Sequence, residues 1–188
     1  GIPIKVNSEA IGLDEQHEHF LQGATGLGDI LEQQGYRQYF MMGSEKEFGN
    51  RDSLLKDHGN YIIYDLKSAK EDGSLPEDYH EYWGFEDSKL FAYAKKQLTE
   101  IAQDDTPFNY SFLTENTHHQ DGYVESDCQQ KYSEQYSSVI SCTAGQILDF
   151  VSWIQKQDFY KNTTIIITGD HLSMNNVHFT EDQLSERR

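Results

Sequence analysis

The chain has 188 residues, 36% of them hydrophobic and 13% aromatic, with 32 acidic against 15 basic side chains and a net charge of −17. That length supports one domain with a real core, and twelve Tyr and ten Phe argue against disorder despite a mean hydropathy of −0.75. The negative field excludes nucleic-acid binding through a basic surface and electrostatic docking on an anionic membrane. There is no apolar run of the about 20 residues that span a bilayer, and no signal-peptide pattern. A soluble protein, or an excised domain of a larger one, is expected.

Residues 1–20 show no clear period; His17 and His19 are spaced like a metal-binding pair on a strand, but no strand pattern surrounds them, so both are expected to be exposed. From Gly26 to Gln34, Leu27, Ile30 and Leu31 give the i, i+3, i+4 stripe of a short helix, closed by Gly35. A strand follows over Tyr36–Met42, a loop over Gly43–Asn50, a short helix over Arg51–His58 closed by Gly59, and a strand over Tyr61–Tyr64. Asp65 to Tyr82 is polar and reads as a surface loop. Asp87–Ala102 is strongly helical, with Leu90, Phe91, Ala94 and Leu98 on one face. Phe108–Leu113 is a strand, Thr114–Cys128 a polar loop, and about Ser133 to Lys156 a long helix carrying Val139, Ile140, Ile147, Val151 and Ile154. The β-branched run around Ile165 closes the pattern as a buried strand. Strands alternating with helices predict an α/β domain with a mainly parallel sheet flanked by helices. Cys128 and Cys142 are two cysteines only. A bridge needs about 6 Å between their Cα atoms, feasible if the long helix starts near Ser133 or later; the alternative is one buried thiol and one incidental one.

The Ile165 run passes directly into Gly169-Asp170-His171. In open α/β sheets ligands gather outside the carboxyl ends of the strands, where this pair would fall. Adjacent strand residues face opposite ways, so both reach one ion only where the backbone breaks, which Gly169 permits. A carboxylate beside an imidazole suits Mn²⁺ or Zn²⁺ better than Ca²⁺; the alternative is an N-cap Asp with a first-turn His. The loop after the Phe108 strand holds Thr117-His118-His119-Gln120-Asp121-Gly122. One of its histidines would bind an anion, act as general acid or base, or join a metal shell, unless both are simply solvated. Arg51, in Phe48-Gly49-Asn50-Arg51-Asp52, offers a bidentate fork to a phosphate or is a surface Arg at a helix start. His178 is a further possible ligand near His171. Gly23-Ala24-Thr25-Gly26-Leu27-Gly28 lacks the Lys of a phosphate loop, no Gly-x-Ser-x-Gly elbow exists, and Cys142, inside a helix, is a poor nucleophile.

The stretches Thr114-Glu115-Asn116-Thr117-His118-His119-Gln120-Asp121-Gly122-Tyr123, Gln157-Asp158-Phe159-Tyr160-Lys161-Asn162-Thr163-Thr164 and Gly169-Asp170-His171-Leu172-Ser173-Met174 together resemble the phosphoglycerol transferase I family. Gly1-Ile2-Pro3, Leu27-Gly28-Asp29-Ile30-Leu31, Trp83-Gly84-Phe85-Glu86-Asp87 and Lys89-Leu90-Phe91 extend the resemblance over nearly the whole chain. Those enzymes add phosphoglycerol to osmoregulated periplasmic glucans and are relatives of lipoteichoic acid synthase in the alkaline phosphatase and sulfatase superfamily. The resemblance therefore implies an alkaline phosphatase-like α/β fold and a membrane-anchored parent with an extracytoplasmic catalytic domain. It implies a threonine nucleophile, a phosphatidylglycerol-type donor, a glycan acceptor, and a divalent metal, usually Mn²⁺, held by a Glu, that Thr and an Asp-His pair. Carried over, Asp170 and His171 match the last two ligands, His118 the catalytic histidine that contacts the phosphoglycerol, and Arg51 the arginine of the Phe-x-Asn-Arg-Asp loop. Gly49 stands where lipoteichoic acid synthase has Trp, and Met42 where it has His, so shared acceptor or lipid specificity is not implied. In the family, the Glu ligand and the nucleophile lie upstream of the segment equivalent to Gly1-Ile2-Pro3. Residues 1–188 are thus expected to be an internal part of one catalytic domain, inactive alone, and Thr25, Thr114 and Thr117 are not in the nucleophile's context. A sulfatase or phosphodiesterase of the same superfamily, or a non-catalytic acidic binding module, are the alternatives.

Overall fold

A computed structural model describes His19, residues 21–118 and residues 121–171. These group into two compact units, one running to Glu115 and the other starting at Asn116.

The first unit is built on a parallel three-stranded sheet. Its strands are β1 (Arg37–Met42), β2 (Ile62–Tyr64) and β3 (Phe108–Leu113), in the order β2-β1-β3. β1 pairs in register with both neighbours: Tyr39 lies opposite Ile62 and Tyr110, and Met41 opposite Tyr64 and Phe112. Parallel strands need crossovers, and helices α1 (Leu27–Gln33), α2 (Arg51–Asp57), α3 (Leu66–Glu71) and α4 (Asp87–Ile101) occupy the stretches around them. α4 buries Leu90, Phe91, Ala94 and Leu98, the stripe expected from its period. It covers the sheet face carrying Tyr39, Met41, Tyr110 and Phe112: the Phe91 and Phe112 rings lie 5.5 Å apart and Tyr110 Oη donates to Gln97 Oε1 at 2.9 Å. On the opposite face Gln38 Nε2 donates to the carbonyls of Gly28 and Gly59.

Three sequence expectations are corrected here. α1 forms, but Leu27 and Ile30 are more than half exposed, and the buried residue is Gly28. The helix approaches its neighbours so closely there that a Cβ on Gly28 would lie 1.9 Å from the His58 carbonyl oxygen. The polar stretch after Asp65 is not all loop: α3 is capped by Asp65, whose Oδ1 accepts from Ser68 N at 3.0 Å, and Leu66, Ala69 and Leu75 are buried beneath it. Residues 163–169 form no regular element and join no ladder among the described residues, and Ile166 and Ile167 are 75% and 65% exposed, so the expected buried strand is not formed there.

The second unit centres on α5 (Gln135–Ile154), which buries Val139, Phe150 and Ile154. α5 starts late enough for the bridge, and Cys128 and Cys142 are joined, with their Cα atoms 5.8 Å apart.

Candidate functional site

Each strand of the parallel sheet is followed within two residues by a buried polar group: Ser44 after β1, Asp65 after β2 and Glu115 after β3. Parallel register places all three at the carboxyl edge, the edge at which α/β sheets bind ligands. Glu115 Oε1 accepts from Ser44 N at 3.2 Å and from Ser44 Oγ at 2.8 Å. Asp65 Oδ2 accepts from Lys46 N at 3.1 Å, and the Glu115 amide donates to Asp87 Oδ1 at 2.7 Å. The two carboxylates thus tie the chain leaving β1 to the ends of β2 and β3.

Arg51, the first residue of α2, reaches this edge because Gly49 and Asn50 take left-handed conformations, with φ of 65° and 57°, and turn the chain sharply. Its Nη2 donates to Ser44 Oγ at 2.8 Å and to the Glu45 carbonyl at 3.1 Å, its Nε donates to the Phe48 carbonyl at 2.9 Å, and its Cζ lies 5.3 Å from the centre of the Phe48 ring. Burial pushes the guanidinium pKa down, and the charges of Glu115 and then Asp65 oppose that. The Nε–Nη2 edge that a bidentate fork would use is therefore engaged by the protein. Nη1 has no hydrogen-bond partner among the described residues.

In the second unit, His118 sits in a loop framed by α5. Tyr136 Oη donates to the Thr117 carbonyl at 2.9 Å, Tyr123 N donates to the Asn116 carbonyl at 2.8 Å, and Asn116 and Gln146 both donate to Glu125 Oε1. Gly122 is required at its position: φ is 66°, and a Cβ would meet the Asn116 carbonyl oxygen at 2.6 Å. His118 is half-buried; His119 lies outside the described residues. The chain bends at Asp170 and His171, and this bend brings the two side chains together, Asp170 Oδ2 lying 3.4 Å from His171 Nε2 with both more than half exposed. The donor types suit a divalent transition metal. They are two donors of the four or more such an ion takes, and no group of three or more His, Cys, Asp or Glu is gathered among the described residues. The pair alone does not complete a metal centre. His19 is exposed, with Nδ1 3.4 Å from Asp57 Oδ1; His17 and His178 lie outside the described residues.

A sulfatase family model matches residues 6–185. The chain belongs to the sulfatase family. Among curated proteins, this sulfatase-family chain is 35% identical to phosphoglycerol transferase I of Citrobacter koseri and 34% identical to that of Escherichia coli, each over 182 residues. Each alignment covers 94% of this chain and 24% of the relative, so the chain spans about a quarter of the length of the curated relatives it matches. Two solved structures share its fold: a protein in the alkaline phosphatase superfamily from Vibrio parahaemolyticus and the lipoteichoic acid synthase LtaP from Listeria monocytogenes. The first has a TM-score of 0.58 at 23% identity over 71% of this chain and 32% of that one. The second has a TM-score of 0.56 at 18% identity over 70% and 33%. The expected alkaline phosphatase-like fold with a mainly parallel sheet is borne out.

Sequence reasoning missed Ser44, Asp65, Asp87 and Glu115. Three of them carried a signal, since Met42-Gly43-Ser44, Tyr64-Asp65 and Leu113-Thr114-Glu115 each pass from an apolar strand to a polar side chain at the carboxyl edge of the sheet.

Proposed function

We propose that the full-length protein is a phosphoglycerol transferase, moving phosphoglycerol from a phosphatidylglycerol-type donor to a hydroxyl of a cell-envelope glycan. The observation that carries this reading is the 35% identity to phosphoglycerol transferase I over 94% of the chain. Residues 1–188 form part of one catalytic domain in this reading, held on the outer side of a membrane by an anchor elsewhere in the protein. The Cys128–Cys142 bridge supports that location, because such bonds persist in oxidising compartments. No helix among the described residues is long and apolar enough to cross a membrane.

Transfer from a phosphodiester needs a nucleophile on phosphorus, charge neutralisation on the non-bridging oxygens and a proton for the leaving alkoxide. His118 is assigned the last role: it gives its proton to the diacylglycerol oxygen as the P–O bond breaks, or holds the phosphate. Arg51 contacts a phosphoryl oxygen through Nη1. The nucleophile is a threonine by the family resemblance, and no residue of this chain is assigned to it. Asp170 and His171 would supply two ligands to a divalent metal, Mn²⁺ by the same resemblance, which when bound would supply Lewis-acid neutralisation of phosphoryl charge.

The test is to express the full reading frame and supply phosphatidylglycerol labelled in its headgroup with a periplasmic-type glucan. Labelled phosphoglycerol on the glucan, with diacylglycerol released in equal amount, is the expected result. Release of free glycerol phosphate alone would replace the reading by a phosphodiesterase, and release of sulfate from an aryl sulfate by a sulfatase.

A further inference from the structure

The hydrogen-bond inventory at the carboxyl edge has only one consistent direction. A guanidinium has no acceptor, so Arg51 Nη2 donates to Ser44 Oγ at 2.8 Å. Ser44 must then send its single hydroxyl proton elsewhere, and Glu115 Oε1, also 2.8 Å away, is the acceptor. The sequence Arg51 N–H to Ser44 O–H to Glu115 carboxylate is thus polarised along its length by a negative charge at its far end, which makes Ser44 Oγ a stronger acceptor for the arginine. Ser44 and Glu115 are 4% and 6% exposed, and 71 residues separate them in the chain, so the relay exists only because β1 and β3 are adjacent and parallel. Arg51 also donates to two backbone carbonyls close to it in the chain, Phe48 and Glu45. Ser44 is the only side chain to which Arg51 donates a hydrogen bond among the described residues.

We propose that Glu115 is a positioning residue, acting through Ser44 to set the orientation in which Arg51 meets an anionic phosphoryl oxygen. The inference rests on the assignment of Arg51 to the phosphate. It adds two residues, one just after β3 and one just after β1, to a function that sequence reasoning gave to Arg51 alone. Glycerol phosphate is the probe, because it presents the phosphoryl group without requiring transfer.

The experiment measures glycerol phosphate binding by calorimetry on the full-length protein, alongside donor KM and kcat. Glu115→Ala and Ser44→Ala should each weaken binding about tenfold and raise donor KM similarly, while Glu115→Gln, which keeps an acceptor oxygen, and Ser44→Thr stay within about threefold of wild type. In an Arg51→Ala background, Glu115→Ala should cost nothing further, because both changes remove the same interaction. Additive losses in that cycle would overturn the relay, as would a fall in thermal stability on Glu115→Ala with binding and KM unchanged. Wild-type protein that binds glycerol phosphate but transfers nothing defeats the proposed activity and leaves the relay to be decided by the binding cycle. Wild-type protein that binds no glycerol phosphate overturns both.

Discussion

Replacing Cys128 and Cys142 together by alanine opens a ring of 15 residues, since 142 − 128 = 14 and both ends count. In the chain-entropy account, closing a loop of that length removes about 3 kcal/mol of denatured-state freedom, so the double variant should lose close to that amount. Both cysteines are only half-buried, which keeps the cavity contribution small. The effect should also reach the His118 loop. The ring encloses the start of α5, where Val139 packs beneath Gly122 and Ser138 Oγ accepts from Tyr132 N at 3.1 Å. Urea unfolding of the oxidised full-length protein, with hydrogen exchange followed across residues 116–142, measures both parts. A midpoint and exchange pattern identical to wild type, with mass spectrometry confirming the bridge in wild type, would refute the reasoning.

Gly122→Ala forces a side chain onto a residue with φ of 66° and places Cβ 2.6 Å from a backbone oxygen; a loss of about 1–3 kcal/mol is expected in chemical denaturation, and unchanged stability would count against the described loop. If the full-length protein is the proposed transferase, His118→Ala should slow transfer about 10²-fold or more, with His119→Ala milder; the reverse order would move the catalytic assignment to His119. Asp29 caps α1 by accepting from Gly26 N at 2.7 Å and faces His58 at 3.0 Å, and these bonds, the first most strongly, hold its carboxyl below the ordinary range. A depressed carboxylate stabilises the folded state at neutral pH and loses that contribution as pH falls through and below about 4. Asp29→Asn should therefore lower the unfolding midpoint at neutral pH, and the gap from wild type should close in acid; a gap that persists unchanged at about pH 2 would contradict this linkage.

What could be read from the sequence was local in origin. The 3.6-residue recurrence of Leu90, Phe91, Ala94 and Leu98 specifies α4 and its buried face, because a helix closes its hydrogen bonds within a few residues. The short apolar runs specify β1, β2 and β3, and their alternation with helices specifies the parallel sheet. The resemblance carried by Thr114–Tyr123 and Gly169–Met174 pointed to the superfamily that the family match shows. Cys128 and Cys142 set a condition, a late start for the long helix, and α5 meets it at Gln135.

Tertiary structure decided whatever depends on partners distant in the chain. The Ile165–Ile167 run has the composition of a buried strand, yet a strand is defined by its neighbour, and among the described residues this segment has none. α3 has too few apolar residues to show a period; it is held by the buried cap of Asp65 and by Leu66 and Ala69. Arg51 looked like an open fork because its sequence neighbours give no hint that Ser44 and two carbonyls engage one edge of it. Ser44 and Glu115 become partners only when β1 and β3 lie side by side in register. Periodicity and capping are encoded within a few residues, whereas the carboxyl-edge network is assembled by strand pairing across 71 residues, and its chemistry exists only once that pairing has formed.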